Sequence, residues 1–330
     1  MTREWVPLIG IHGHECRLVD GYSNSVVEEL RGCDSFLWHV NQDYPNDLRF
    51  ARSVLLAAGK LGLQVYPDHH TAWHFDDKVA QKYLLEAIGA PLAQTWVFFE
   101  YDEAIDFIMQ AEYPLVFKLR GGAGSANVRL LHSRADAERV VSRMFGKGVA
   151  PFPVAGAASD ALHRARRKDR GFRWLLRNSG RVARVFYEKR RRHERERGYV
   201  LFQRYIQGND HDVRVMIVGD RAFSSIRHVR PGDFRASGSG RSTFTDVGDT
   251  DTRLVDLGFR VARDIMAQTL ALDFVYEPDT GEPVLLEVSF VMPPEPFSLH
   301  KGYFDEDLNW HPGCFSLAEL VLLDVINGRV

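Results

Sequence analysis

Residues 116–125 place a lysine at the end of an apolar strand, directly before a glycine-rich turn. Lys118 supplies a fixed positive charge, and the glycines let backbone N–H groups approach phosphate oxygens without interference from side chains. Both features suit a polyphosphate. The turn is not a Walker A loop, because no Lys-Ser/Thr pair follows the glycines, and it is not a dinucleotide fingerprint, because the chain continues as a strand after Ser125. Taken alone, an ordinary structural turn explains the segment better.

Two acidic residues lie within apolar stretches that are predicted as neighbouring strands, Asp273 in Leu-Asp-Phe-Val and Glu287 in Leu-Leu-Glu-Val-Ser. An unpaired carboxylate in such a place is costly, so each needs a partner. Magnesium is one such partner, since it prefers carboxylates together with phosphate oxygens. A salt bridge to Arg230 or Arg235 is the alternative.

The segment 230–241 holds three arginines among small residues. Guanidinium groups bind phosphate or carboxylate through paired hydrogen bonds. The segment therefore fits an anion-binding loop, and a surface hairpin fits it equally.

The elements that must position these residues follow from hydrophobic spacing and turn signals. The first half predicts a small α/β domain with strands at 6–11, 36–40 and 63–66 and a helix over 47–61. It then predicts helices over 76–88 and 102–111 and a hairpin of strands 115–119 and 127–131.

The second half predicts strands at 199–206, 212–218 and 222–229, and the tight turn Gly219-Asp220 joins the last two. A helix over 251–270 precedes strands at 271–276 and 283–289, and the spacing of Ser316 and Glu319 predicts the capped start of a last helix. The alternation of elements indicates an α/β protein made of α+β lobes.

The composition indicates a folded protein: among 330 residues, 42 Lys+Arg face 44 Asp+Glu, and 45% of the residues are hydrophobic. Three scattered cysteines do not make a disulfide framework or a Cys-rich zinc site, which favours a reducing compartment. No stretch approaches the roughly 18 apolar residues that span a bilayer, and the first residues do not lead into a signal-peptide core. We therefore expect a cytoplasmic protein.

The net charge of the chain is near zero, but one segment, residues 160–197, is strongly basic and holds 15 lysines or arginines and 5 acids. Its surplus of 10 positive charges leaves −12 for the rest of the chain. Apolar residues recur inside it, so it is predicted as a basic, helical insertion. It is either a solvated insertion or a surface for an anionic membrane or a lipid-linked intermediate, which would put the protein at the inner face of the membrane. Nucleic acid is not an expected partner, since no base-reading module is present.

The order of these motifs resembles the ATP-grasp superfamily over most of the chain, with the greatest similarity to the glutathione synthetase and ribosomal-protein glutamate ligase branch. The motifs are Asp77-Lys78, Phe117-Lys118 with its glycine-rich turn, the segment 202–206, Asp212-Val213-Arg214, the arginine loop, and Asp273 with Glu287. The resemblance implies an ATP-grasp fold with three parts. These are an N-terminal domain over 1–75, a central subdomain over 76–206 with the insertion at 155–198, and a C-terminal subdomain over 207–330.

The same resemblance implies roles for individual residues. Nucleotide contacts are expected from Lys78 and Lys118, and the turn with Gly121, Gly122, Gly124 and Ser125 closes over the phosphates. The backbone of Gln203, Arg204, Tyr205 and Ile206 meets adenine, Asp212 faces the ribose, and Arg230 and Arg235 face phosphates or the acyl group. Magnesium is held by Asp273, Glu287 and Ser289, although the superfamily usually has asparagine where this chain has Ser289, a weaker ligand.

The implied activity is an ATP- and Mg²⁺-dependent ligase that joins a carboxylate and an amine through an acylphosphate. Its substrates would be a small-molecule or saccharide carboxylate and an amine, and a homodimer is expected. Residues 233–240 and 307–311 further resemble a bacterial subgroup associated with surface-polysaccharide gene clusters. The alternatives are a kinase of a sugar or related metabolite, and a nucleotide-binding scaffold in a membrane-associated assembly complex.

Overall fold

The computed structural model describes residues 1–328 apart from 43, 45, 122–126, 152–193, 231 and 293–296. Most of the predicted basic insertion, together with Gly122, Gly124 and Ser125, therefore lies outside the described residues. In the part that is described, no helix is both long and apolar enough to cross a membrane.

The N-terminal part is a small α/β unit built on two parallel strands, as expected. Its elements are α1 (Thr2–Ile11), α2 (Val26–Leu30), β1 (Ser35–Leu37), a π-helical turn (Asp47–Ala51) leading into α3 (Arg52–Lys60), β2 (Gln64–Tyr66) and α4 (His69–Ala72). Strands β1 and β2 pair in parallel, with Phe36 opposite Val65. The predicted helix over 47–61 is thus confirmed as the π-helical turn and α3 together.

The predicted strand at 6–11 is wrong, because these residues belong to α1. The apolar run is too short for its period to separate a strand from a buried helix. Trp5, Leu8 and Ile9, at helical spacing, face the core beneath the C-terminal helix. Trp5 is buried, and its indole N–H donates to the carbonyl of Ala318 at 3.0 Å. A contact between the two ends of the chain therefore decides this element.

The second sheet has four antiparallel strands in the order β3–β6–β4–β5. This part of the chain contains α5 (Lys78–Ala87), β3 (Thr95–Phe98), α6 (Tyr101–Gln110), β4 (Leu115–Lys118), β5 (Val128–Leu131), α7 (Arg134–Phe145) and β6 (Val200–Arg204). The β4–β5 hairpin confirms the prediction around the glycine-rich turn. A core that includes Phe117, Phe202 and Ile108 joins the sheet to α6 and α7.

The third sheet has seven strands, ordered β11–β10–β7–β8–β12–β13, with β9 also paired to β8. This part contains β7 (His211–Val218), β8 (Arg221–His228), β9 (Ser242–Phe244), α8 (Thr252–Asp264), β10 (Thr269–Tyr276), β11 (Pro283–Ser289), β12 (Gly302–Phe304), β13 (Trp310–Pro312) and α9 (Leu317–Ile326). Alternate residues Val213, Val215 and Ile217 pack against α8. The other face packs on α1 and α9 at one end and carries charged residues at the other.

The predicted helix over 251–270 is too long, since α8 ends at Asp264 and β10 begins at Thr269. Residues 265–268 carry no strong helix-breaking signal. Met266 adopts a φ of +56°, a left-handed conformation that ends the helix. Thr269 and Leu270 then pair with Val218 and Ile217 of β7. Strand pairing over a long sequence distance overrides the local helical tendency here.

Candidate active site

A pocket lies where the four-stranded sheet meets the seven-stranded sheet. Between them, the residue pair Leu92 and Leu285 forms a parallel bridge, and the amide of Ala93 donates to the carbonyl of Leu285 at 2.8 Å. The space enclosed is about 270 Å³, including its opening to solvent, and its walls are Lys78, Gln81, Lys82, Leu85, Leu92, Thr95, Lys118, Leu201, Gln203, Leu286 and Glu287. Apolar walls with a few converging polar groups are what a small-molecule site requires.

The backbone of β11 is irregular at this pocket. Glu287 is paired with Asp273 and Leu285 with Phe274, so Leu286 is an extra residue, as in a β-bulge. The carbonyl of Leu286 accepts hydrogen bonds from the Nζ of Lys118 at 3.4 Å and from the Nε2 of Gln203 at 3.2 Å. The bulge therefore gives side chains of the four-stranded sheet an anchor on the seven-stranded sheet.

Two lysines converge on Glu287. Lys118 is the last residue of β4, and Lys78 is the first residue of α5. The Nζ of Lys78 lies 3.8 Å from the Oε2 of Glu287. Burial lowers the pKa of Lys118, with the Glu287 carboxylate opposing that change. Burial of Glu287 disfavours its charge, yet Lys78 and Lys118 together hold the pKa of its carboxyl below the usual value. The carboxylate is ionised, and the two ammonium groups border the same space.

The start of α5 is tied to the end of β4. Asp77 caps the helix by accepting from the amide of Ala80 at 3.0 Å, and the amide of Lys78 donates to the carbonyl of Arg120 at 2.9 Å. The Nη1 of Arg120 lies 3.8 Å from the Oδ2 of Asp77. Capping at a helix start fixes its first residue, so Lys78 is held close to the strand that carries Lys118.

A row of charged residues crosses the seven-stranded sheet beside the pocket. Asp273 on β10 lies opposite Glu287 on β11 and opposite Arg214 on β7. Residues directly opposite on neighbouring strands project from the same face. The prediction that Asp273 and Glu287 stand on neighbouring strands is confirmed.

Arginines of β7 and β8, rather than those of the arginine loop, neutralise Asp273. Arg214 binds it through two bonds, Nε to Oδ1 at 2.7 Å and Nη2 to Oδ2 at 2.9 Å. The Nη2 of Arg227 also lies 2.7 Å from Oδ2, and Arg227 binds Asp212 through two further bonds of 2.6 Å. Although burial disfavours its charge, Arg214 and Arg227 hold the pKa of Asp273 far below the usual range. The alternative, a salt bridge of Asp273 or Glu287 to Arg230 or Arg235, is not found among the described residues, where Arg214, Arg227 and Lys78 are the partners.

Two arginines of the arginine loop form bonds inside the loop. The Nη2 of Arg230 donates to the carbonyl of Ser237 at 3.1 Å, and the Nη2 of Arg235 lies 2.6 Å from the Oδ2 of Asp233. The ring of Phe234 contacts that of Tyr205 edge to face, with centroids 5.8 Å apart. The loop therefore lies against the segment that follows β6.

The donor set at the pocket fits magnesium only in a restricted way. No group of three or more His, Cys, Asp or Glu residues capable of holding a metal occurs in the described ranges. Lys78, Lys118, Arg214 and Arg227 oppose Asp212, Asp273 and Glu287, which leaves no negative surplus in this cluster. The hydroxyl of Ser289 accepts from the amide of Val291 at 3.3 Å. These residues suit a cation that arrives with its own anionic ligands, as Mg²⁺ does with phosphates.

Known proteins were compared with the chain. No family model matches it, and no curated protein does. A solved ATP-grasp RimK domain protein from Sphaerobacter thermophilus matches with a TM-score of 0.56 and 17% identity, over 98% of this chain and 94% of that one. N5-carboxyaminoimidazole ribonucleotide synthetase from Thermotoga maritima matches with a TM-score of 0.54 and 11% identity, over 96% of this chain and 65% of that one. The biotin carboxylase domain of 2-oxoglutarate carboxylase from Hydrogenobacter thermophilus was solved with MgADP and bicarbonate. It matches with a TM-score of 0.52 and 11% identity, over 96% of this chain and 60% of that one.

The chain has the ATP-grasp fold. The fold predicted from the motifs is therefore confirmed. At these identities the likeness concerns the fold alone, and the residue roles expected from the resemblance stay predictions. The domain boundaries at 75 and 206 also stay predictions.

Within this ATP-grasp fold, several predicted nucleotide contacts already have other partners. The amide of Arg204 donates to the carbonyl of Gln94 at 2.8 Å, and its guanidinium binds Glu277. Asp212 is bound by Arg227, so contact with a ribose would have to compete with this pair. Gln203 reaches the pocket through its side chain, and Ile206 is buried in a small core with Val275 and Val284.

Sequence reasoning missed two sets of site residues that local signals could have found. Gln81 and Lys82 line the pocket one turn after Lys78, and the spacing of three and four residues on a helix puts them on the same side. The turn Gly219-Asp220 pairs Val218 with Arg221, which fixes the register of the hairpin and places Arg227 opposite Asp212. Thr95, by contrast, joins the pocket only through tertiary structure, and it accepts from Gln203 at 3.0 Å.

Proposed function

We propose that this chain is an ATP- and Mg²⁺-dependent ligase that joins a carboxylate to an amine. The observation that carries the proposal is the convergence of Lys78 and Lys118 with Glu287 and Asp273 on one pocket of an ATP-grasp fold. Lysines can neutralise phosphate charge, and the carboxylates suit magnesium bound to phosphate oxygens. The match to a carboxylase domain solved with MgADP supports a magnesium-nucleotide as the ligand.

The residues of the chain would act by position and charge. Lys78 and Lys118 orient the triphosphate, and the apolar walls Leu85, Leu92 and Leu201 exclude water from one side. Glu287 and Asp273 would hold Mg²⁺ together with the phosphates, and the ion would supply neutralisation of the charge on the transferred phosphoryl group. Guanidinium groups of Arg214 and Arg227 keep Asp273 ionised and fix its orientation.

The reaction would run in two steps. A substrate carboxylate oxygen attacks the γ-phosphorus of ATP in line, the bond to the bridging oxygen breaks, and ADP leaves. An amine then attacks the carbonyl carbon of the acylphosphate, and phosphate leaves as the amide forms and the amine loses a proton. The arginines at 230 and 235 are proposed to face the phosphate or acyl group.

We place the enzyme in the glutathione synthetase and ribosomal-protein glutamate ligase branch and its substrates in bacterial surface-polysaccharide modification. The support is the order of sequence motifs and the segments 233–240 and 307–311. The basic segment 160–197 is proposed to contact an anionic membrane or a lipid-linked intermediate. Its net surplus of 10 positive charges supports this contact, since each basic residue near such a surface contributes about 1 kcal/mol.

The deciding experiment measures ADP release against a library of carboxylates, with hydroxylamine as the amine. A ligase releases ADP only when a carboxylate is present. Hydroxylamine then captures the activated carboxylate as a hydroxamate, which mass spectrometry identifies. ADP release with a hydroxyl compound and no hydroxamate would indicate a kinase. Binding of ATP without turnover across carboxylate and hydroxyl libraries would indicate a scaffold.

A further inference from the structure

The end of β4 is held by two side chains that the proposed reaction does not use. The amide of Gly121 donates to the Oε1 of Glu196 at 3.2 Å, and the amide of Arg120 donates to the Oε2 of Glu196 at 3.0 Å. The amide of Arg120 also lies 2.6 Å from the hydroxyl of Tyr199. That hydroxyl in turn donates to the Glu196 carboxylate. Two successive backbone N–H groups therefore share one anionic acceptor where the chain leaves the sheet.

The backbone of Glu196 is fixed independently of β4. It forms a bridge with Val149 through two hydrogen bonds of 2.9 Å. Lys118 lies opposite Leu201 in the β4–β6 ladder, and continuing that register places Arg120 opposite Tyr199. Burial and the neighbouring Glu196 raise the pKa of the Tyr199 hydroxyl, so it remains a donor. From this side, the side chains of Glu196 and Tyr199 cross to the departing strand.

This contact fixes a peptide that lies between the two proposed nucleotide lysines. The amide of Arg120 faces Glu196, while its carbonyl accepts from the amide of Lys78 at 2.9 Å. Gly121 is confined as well, since a Cβ there would lie 3.2 Å from the Oδ2 of Asp76 and 3.4 Å from the Oε1 of Glu196. Lys118 is two residues earlier on the same strand. Movement of this peptide would therefore shift Lys78 relative to Lys118.

We propose that Glu196, assisted by Tyr199, is a positioning residue for the nucleotide phosphates. It acts through the backbone of Arg120 and Gly121 and does not contact the nucleotide, because a carboxylate beside a phosphate would repel it. Two lysines that are already held in place bind an anion without the cost of ordering them on binding. The inference rests on the proposed function, since it requires ATP to bind beside Lys78 and Lys118.

The test compares the affinities of the full-length protein for a nonhydrolysable ATP analogue with Mg²⁺ and for adenosine, by calorimetry and ligand-observed NMR. Glu196→Ala should weaken binding of the analogue by about tenfold or more and leave adenosine affinity unchanged, because only the phosphates face the two lysines that this backbone positions. Glu196→Gln keeps one acceptor oxygen and should restore part of the loss. Tyr199→Phe should give a smaller loss in the same direction.

Glu194→Ala is the matched control, because Glu194 precedes the bridge, is 82% exposed and pairs with Arg49 at 3.0 Å. It should bind both ligands as the wild type does. Equal analogue affinity in Glu196→Ala and wild type, or an equal loss for adenosine and the analogue, would overturn the positioning role alone. Failure of the wild-type protein to bind the analogue would overturn the proposed function, and this inference with it.

Discussion

The two ends of the β7–β8 hairpin both bury an arginine against a carboxylate, but they differ in charge balance. At the turn end, the Nη1 of Arg221 binds the Oδ2 of Asp324 on α9 at 2.9 Å and the carbonyl of Val218 at 3.3 Å. At the open end, Arg227 is shared between Asp212 and Asp273, and Arg214 adds a bidentate pair to Asp273. One guanidinium group meets one buried carboxylate at the turn, whereas several of each meet at the open end.

The turn end is closed to ligands by its own packing. Gly219 has a φ of +57°, and a Cβ there would lie 2.7 Å from the Oδ2 of Asp324. Asp324 therefore lies directly over the turn, and Arg221 is neutralised by it and by the exposed Asp220. Such a pair holds α9 on the sheet and has no charge left for a substrate.

The open end borders the pocket, where Arg214 and Arg227 meet Asp212, Asp273 and Glu287. Lys78 and Lys118 add positive charge from the four-stranded sheet side, so an anion completes the balance. From this comparison we infer that a buried ion pair serves a ligand when its charges are incomplete and border a cavity, as those beside the proposed nucleotide site do. A complete pair under a helix is structural.

The largest expected effect comes from removing the carboxylate that faces both lysines. Glu287→Gln keeps the size of the side chain and should lower kcat by about 10³-fold or more, since phosphoryl transfer depends on charge stabilisation. Binding of nucleotide without metal should survive. Steady-state ADP release measures the change, and Glu282→Gln, an exposed residue just before β11, is the control. Normal magnesium-dependent turnover in Glu287→Gln would contradict its role as a magnesium ligand. The variant Ser289→Asn should be tolerated, because it restores the ligand that is commoner in the superfamily.

The second prediction compares the two ends of the β7–β8 hairpin by removing one arginine from each. Arg227→Met and Arg221→Met each leave a buried carboxylate without a guanidinium partner and should each lower the free energy of unfolding by about 3 kcal/mol. Only Arg227→Met should also lower ADP release per folded molecule. Urea denaturation gives the first quantity, and activity normalised to the folded fraction gives the second. Equal specific activities in the two variants would contradict the functional distinction.

The smallest expected effect tests whether Lys118 binds the nucleotide or stabilises the fold. Burial lowers the pKa of Lys118, so the charged form of this side chain does not stabilise the folded state. The variant Lys118→Met should therefore change the unfolding free energy of the ligand-free protein by less than about 1 kcal/mol. Its affinity for ATP should fall by about 10 to 100-fold, because a cation that faces the phosphates is lost. Calorimetry and thermal melts check both, with Lys60→Met on the exposed end of α3 as the control. Loss of stability with unchanged ATP affinity would make Lys118 structural.

The amino-acid sequence by itself determined those parts of the fold and site that depend on neighbouring residues. The hairpin around the glycine-rich turn, the capped start of α9 at Ser316 and the turn Gly219-Asp220 are all present where they were predicted. Their causes are local, since glycine conformation, side-chain capping and the period of apolar residues act within a few positions. The pair Asp273 and Glu287 was found for the same reason, because both stand in recognisable strands joined by a short turn.

Tertiary structure alone decided which charges meet. Arg214 reaches Asp273 because β7 and β10 are neighbours, although α8 and two strands separate them along the chain. Glu196 likewise reaches the end of β4 only through the order of strands in its sheet. The same dependence made α1 a helix and ended α8 early, because packing and strand pairing outweighed local tendencies. Contacts between distant residues leave no periodic signal in the sequence, so the partners of a buried charge appear only once the sheets are assembled.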